Sequence, residues 1–262
     1  PTMELLPLVL VLLPATLATG IKQMALDMAL ESFDDQYRGC RSEMLKELPK
    51  LNRSEFTTNS TYSKVWANAT IQRRSRPFPG CRLWPEQAIA LRAYSMNTEL
   101  YQQFNAAVRT AGRSLAQLHK FPFKVMHFLL TEALGDLRAA WPQGICLHVF
   151  RGVQGIRFTA KPGDIVHFGQ FTSASLNKEV AKRFGTDTFF KVLTCHGAII
   201  QDFSEYPEEE EVLIPPFETF WVARVTRQGA KTHIQLYSRG VRSNYNCAFS
   251  SGDIPGVGTP VA

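Results

Sequence analysis

The chain has 262 residues, of which 45% are hydrophobic, 20% charged and 11% aromatic, with 17 Gly and 15 Pro. That is the make-up of a folded globular protein, and it excludes a disordered tail or a fibre. Lys and Arg number 29 against 23 Asp and Glu, a net charge of +6 that suits polyanions, anionic membranes or a phosphate-bearing small ligand without choosing among them.

Residues 5–18 read LLPLVLVLLPATLA, an apolar run broken by two prolines and ending on small residues. It is too short to span a membrane and fits a secretory signal peptide over residues 1–20, leaving one domain over 21–262. The fit is imperfect, since Glu4 stands where a basic residue is usual and two residues precede Met3. Three N-x-S/T triplets, at Asn52, Asn59 and Asn68, fall within nineteen residues and mark acceptors for N-glycosylation. The five cysteines, Cys40, Cys81, Cys146, Cys195 and Cys247, show neither CxxC nor the Cys/His spacing of a zinc site. Disulfides are therefore expected rather than a metal, one thiol is left over, and the pairing stays open. The last stretch, GDIPGVGTPVA, carries no apolar tail, so neither a GPI signal nor a C-terminal span is expected. The expected location is the secretory route: secreted, or held in granules or the endoplasmic reticulum lumen.

Helical periodicity dominates before residue 142. In Ile21 to Phe33 the residues Ile21, Met24, Ala25 and Met28 share one helical stripe, which predicts a helix there. Pro85 to Met96 opens with the proline favoured at a helix start, and Lys124 to Ala140 is the longest apolar helical run. After Pro142 the pattern shortens to strand-like runs at 145–150, 164–168, 188–195, 211–214, 219–227 and 232–238. One short helix, Lys178 to Phe184 behind an Asn177 cap, interrupts them. Helices first and strands afterwards predict an α+β fold, a helical N-terminal half packed on a β-rich C-terminal half.

Three places in the β half can carry chemistry. Arg151 follows the apolar run ICLHVF and precedes Gly152, which would let the backbone turn as the guanidinium leaves a buried strand. Such a fork can hold a phosphate or carboxylate; a surface Arg at a strand end is the alternative. Within FTSAS, Ser173 and Ser175 would face the same way along a strand and could brace another group, though Ser is also common in turns. No GxSxG elbow is present, so Ser173 is not read as a nucleophile. In PEEEEVLIPP four carboxylates abut an apolar run, and on a strand Glu209 and Glu211 would share a face; a solvated acidic turn is the alternative.

Together, FRG, then F-x-S-x-S, then E-x-E before VLIP resemble the Arg-Ser-Glu signature of the mono-ADP-ribosyltransferases, specifically the vertebrate ecto-enzymes that modify arginine. The resemblance continues through IKQMALDMALESFDDQYRGC, PEQAIALRAYS, EEVLIPP and FETFWV, covering nearly the whole mature chain. Ala174 departs from the middle residue of the family's Ser-Thr-Ser. The resemblance implies the ADP-ribosyltransferase fold, and NAD or NADP as substrate with no prosthetic group. Arg151 and Gly152 would hold the NAD diphosphate and ribose, and Ser173 would orient Glu211. Glu211 would grip the nicotinamide ribose and stabilise the charge that develops as the glycosidic bond breaks. Glu209 would engage the arginine acceptor with Tyr206 as an aromatic platform, and Phe184 would stack on nicotinamide. The resemblance also implies Cys40–Cys247 and Cys146–Cys195 disulfides, leaving Cys81 over.

Implied partners are NAD and arginine-bearing proteins or small guanidines, with the chain a monomer. The alternatives are an NAD glycohydrolase on the same fold and a catalytically silent secreted binding module. Nucleic acid is not an expected partner, because the one basic run, Arg73-Arg74-Ser75-Arg76, reads as an exposed loop beside the sequons. No G-x-G-x-x-G follows a strand, so NAD would be held for cleavage rather than hydride transfer.

Overall fold

The computed structural model describes residues 20–75, 83–142 and 144–248, so most of the leader region and Cys81 lie outside the described residues. Within the described residues the first element is a short strand, β1 (Lys22–Ala25), and not a helix. Its partner is a strand far along the chain: Lys22 donates its amide to Gly155 and Leu26 to Thr159, both at 2.9 Å. Backbone pairing with Ile156–Thr159 takes the place of the helix that the spacing of Ile21, Met24, Ala25 and Met28 predicts.

Six helices follow: α1 (Arg41–Thr58), α2 (Ser60–Ser75), α3 (Pro85–Ser95), α4 (Glu99–Thr110), α5 (Leu115–His119) and α6 (Lys124–Ala139). Helix α3 starts at the proline expected of it, and α4 is capped by Thr98, whose side chain accepts the Leu100 amide. Arg73, Arg74 and Ser75 close α2 instead of forming a loop, since α2 carries its hydrogen bonds through them. The sequon asparagines sit on this helical pair: Asn52 in α1, Asn59 at its end and Asn68 exposed on α2.

The second half holds β2 (Leu147–Val153), β3 (Ile156–Thr159), β4 (Ile165–His167), β5 (Thr172–Ser175), α7 (Lys178–Arg183), β6 (Thr188–Thr194), β7 (Ala198–Ile199), β8 (Glu211–Ile214), β9 (Glu218–Gln228) and β10 (Lys231–Val241). Eight of these strands form one sheet in the order β4-β9-β10-β6-β2-β5-β8-β7, while β1 pairs with β3. Only β10 and β6 run parallel within the large sheet. The architecture is the α+β arrangement of the sequence pattern.

Two apolar cores hold it together. One lies among the helices, with Phe33, Met44, Tyr62, Leu91, Phe104 and Phe128 buried, and reaches the sheet through Phe171, Ala198 and Leu213. The other lies on the sheet, built by Val149, Phe190, Val192, Val212, Phe220 and Leu236. Strand β8 takes part in both through Leu213 on one side and Val212 and Ile214 on the other, so it is fixed from two sides. Two disulfides, Cys40–Cys247 and Cys146–Cys195, are formed, the pairing the resemblance implies.

Candidate active site

Strand register brings the expected residues together. Phe150 pairs with Ser175 and Ser175 with Glu211, so the middle of β2 and the start of β8 flank β5. A cleft of about 630 Å³ opens there. Arg151, Gly152, Ser173, Phe184, Tyr206, Glu209 and Glu211 all line it.

Arg151 lies inside β2, and the strand continues through Gly152 to Val153. Gly152 therefore makes no turn; it is a point of close approach. A side-chain carbon on it would stand 2.2 Å from the Ala181 carbonyl oxygen and 2.3 Å from that of Gly185. Only glycine lets the end of α7 lie against β2, which seats Phe184, 53% exposed, at the cleft wall. The Arg151 guanidinium donates to the Ser173 carbonyl at 2.6 Å, leaving further N–H groups for a ligand.

Glu209 and Glu211 are not on one strand. Pro207–Glu209 form a 3₁₀ turn, Glu210 takes a left-handed conformation with φ of 47°, and only Glu211 begins β8. The proline favours the turn over an extended run, and both carboxylates reach the same cleft by that route. Ser175 donates to the Glu209 carbonyl at 2.7 Å, and the Glu210 carboxylate accepts from Asn177, the cap of α7, at 3.1 Å. The acidic run is thus a folded corner tying β5, α7 and β8.

Glu211 is only 5% exposed. Burial pushes its carboxyl upward, opposed by hydrogen bonds from Ser173 and Ser204 and by the Arg151 charge. The Ser204 bond is 3.2 Å long. Burial likewise raises Glu209, with the charges of Glu211 and Glu208 adding to it.

Ser204 was not among the sequence candidates, and neither was the helix that fixes it. Arg92 of α3 donates to the Ser204 carbonyl at 2.5 Å and bridges Glu205 at 2.8 Å, while Ser95 accepts the Glu205 amide at 2.8 Å. Tyr94, Asn97 and Tyr101 complete that wall. No local motif marks these residues, because their role arises from the packing of α3 across the loop before β8. Among the described residues no cluster of three or more His, Cys, Asp or Glu side chains is arranged to hold a metal.

Comparison with known proteins adds a second line. Residues 26–244 match the family model "NAD:arginine ADP-ribosyltransferase". The erythroblast NAD(P)(+)–arginine ADP-ribosyltransferase of Gallus gallus is 52% identical over 233 residues, 87% of this chain and 77% of that protein. The GPI-linked NAD(P)(+)–arginine ADP-ribosyltransferase 1 of Mus musculus is 50% identical over 244 residues, 87% of this chain and 74% of that protein. Among solved structures, the eukaryotic mono-ADP-ribosyltransferase ART2.2 superimposes with a TM-score of 0.75 at 36% identity, covering 87% of this chain and all of that one. A variant of it in complex with NAD gives 0.73 at 36% identity. On the match across most of its length, the chain belongs to the NAD:arginine ADP-ribosyltransferase family.

Proposed function

We propose that the protein transfers ADP-ribose from NAD, or NADP, to the guanidinium of arginine in proteins or small guanidines, releasing nicotinamide. The observation that carries this reading is that Arg151, Ser173, Glu209 and Glu211 line one cleft, with one carboxylate buried and braced and the other half-exposed.

Arg151 binds the diphosphate through its remaining N–H groups. The amide-bearing ring stacks on Phe184. As the glycosidic bond breaks, nicotinamide keeps the bonding electron pair and leaves as a neutral ring, so no general acid is needed. Positive charge then develops on the ribose, in the manner of glycoside cleavage, and the buried Glu211 carboxylate stabilises it. Ser173 and Ser204 hold that carboxylate in place and favour its ionised form. The acceptor guanidinium, seated against Tyr206, attacks the ribose carbon, and Glu209 takes the proton it releases. A guanidinium does not give up its proton unaided near neutrality, so a second carboxylate distinguishes arginine transfer from hydrolysis. Two disulfides fit passage through an oxidising compartment.

Labelled NAD with and without agmatine tests the reading, label on agmatine being the expected result. Glu209→Gln should lower agmatine transfer by roughly 10²-fold or more while nicotinamide release to water persists. Glu211→Gln should abolish both, and nicotinamide release at the wild-type rate would refute its role. Nicotinamide release with no label on agmatine would make the protein an NAD glycohydrolase.

A further inference from the structure

Arg151 is shared by two clefts. Beyond it a second cleft of about 1150 Å³ opens, and Tyr101, Arg151 and Val153 line both. Glu209 and Glu211 line only the first. A dinucleotide with its nicotinamide ribose at Glu211 and its diphosphate at Arg151 therefore passes its other nucleoside toward the second cleft.

That cleft holds four cations, Lys22, Arg109, Arg113 and Arg151. Its carboxylates are Asp27, Glu31 and Asp164. Asp27 accepts the Ala29 amide and Asp164 the Lys161 amide, and Glu31 pairs with Arg113 at 2.6 Å. Among the described residues neither Lys22 nor Arg109 is in an ion pair, and of the two only Arg109, exposed at the end of α4 and donating to the neutral Gln170 side chain, presents a guanidinium fork. Gln170 is three residues before Ser173, whose carbonyl accepts from Arg151, so the two anchor residues lie at most roughly 10 Å apart along the chain.

We propose that Arg109 receives the 2′-phosphate of NADP in this second cleft and so sets the use of NADP against NAD. This rests on the reading above that Arg151 holds the diphosphate. A phosphate monoester carries between one and two negative charges near neutrality, and a guanidinium fork meets its oxygens with paired hydrogen bonds. Arg109 gives up only a neutral partner to make that contact, whereas Arg113 would have to leave Glu31. NAD presents a hydroxyl there and gains nothing comparable.

Initial rates of nicotinamide release from NAD and NADP, with agmatine as acceptor, compare the wild type with Arg109→Ala, Arg109→Lys and Arg113→Ala. Arg109→Ala should lower kcat/KM for NADP about tenfold and leave that for NAD within about twofold. Arg109→Lys should recover part of the loss, and Arg113→Ala should leave the ratio unchanged. The wild-type preference should weaken below about pH 6, where the monoester loses its second charge. An unchanged ratio in Arg109→Ala, or an equal fall for both dinucleotides, would overturn the assignment. If the wild type cleaves neither dinucleotide, the transferase reading fails on its own, and calorimetric titration decides the site. Tighter binding of adenosine 2′,5′-bisphosphate than of 5′-AMP, lost in Arg109→Ala, supports it; equal binding of the two to the wild type overturns it.

Discussion

At the scale of single residues, the proposed chemistry turns on Glu211, a carboxylate taken out of water with hydrogen bonds from its neighbours. Burial alone would favour its protonated form, and the Ser173 and Ser204 hydroxyls together with Arg151 oppose that. Both Glu211 and Glu209 are raised from the ordinary 4.5. The proposed transfer needs both ionised, so activity should fall as the pH drops through values above 4.5, and the acid limb of kcat/KM with agmatine measures this. Ser204→Ala removes a bond made to the ionised form. That moves the Glu211 carboxyl further up, and the acid limb should shift to higher pH with a loss of roughly tenfold in kcat/KM at low pH. An acid limb that stays where it is in Ser204→Ala would sink the bracing role. Because Ser204 is recognisable only through its contact with Glu211, nothing in the local stretch DFSEY distinguishes it from a turn serine.

At the scale of elements, α7 is the piece whose placement matters most. Its start is fixed by Asn177, which accepts the Glu179 and Val180 amides and donates to Glu210. Its end is fixed by the bare backbone at Gly152 and by Gly185, whose φ of +125° suits glycine alone. Gly152→Ala puts a methyl group into two carbonyl oxygens. It should cost about 1–3 kcal/mol in chemical denaturation, and kcat/KM for NAD should fall more than stability does, since the displaced α7 carries Phe184 with it. Wild-type kinetics in Gly152→Ala would show that α7 tolerates displacement. The helix at Lys178, the helix opening at Pro85 and the strand at Glu211 were legible because caps, proline and short apolar runs act locally. The start of the chain was not legible: Ile21 to Met28 has helical spacing, yet its partner is Ile156–Thr159, more than a hundred residues away, and no local signal reports that pairing.

Across the whole molecule, the two chain ends of the described structure are clasped together beside the helical core. Cys40 and Cys247, 207 residues apart, are bonded. The Asp34 carboxylate accepts the Asn244 and Tyr245 amides at 2.8 and 3.1 Å, and Asp35 accepts that of Ala248 at 2.8 Å. Closing so long a loop limits the unfolded chain, so replacing both cysteines by serine should cost about 2–5 kcal/mol in the denaturation midpoint. An unchanged midpoint would mean that the Asp34 and Asp35 hydrogen bonds hold the ends unaided.

By itself the sequence determined the α+β class and the helical and β halves, while its resemblance to a known family picked out the arginine, the serine and the paired carboxylates. The class and the halves follow from periodicity and capping, which act over a few residues. The tertiary structure decided the rest. It made Gly152 a contact where a turn was expected, put Glu209 on a 3₁₀ corner where a strand was expected, and brought Ser204, whose carbonyl is held by Arg92, against the Glu211 carboxylate. Those outcomes depend on which distant surfaces meet, and burial, with the pKa shifts it causes, exists only once they have met.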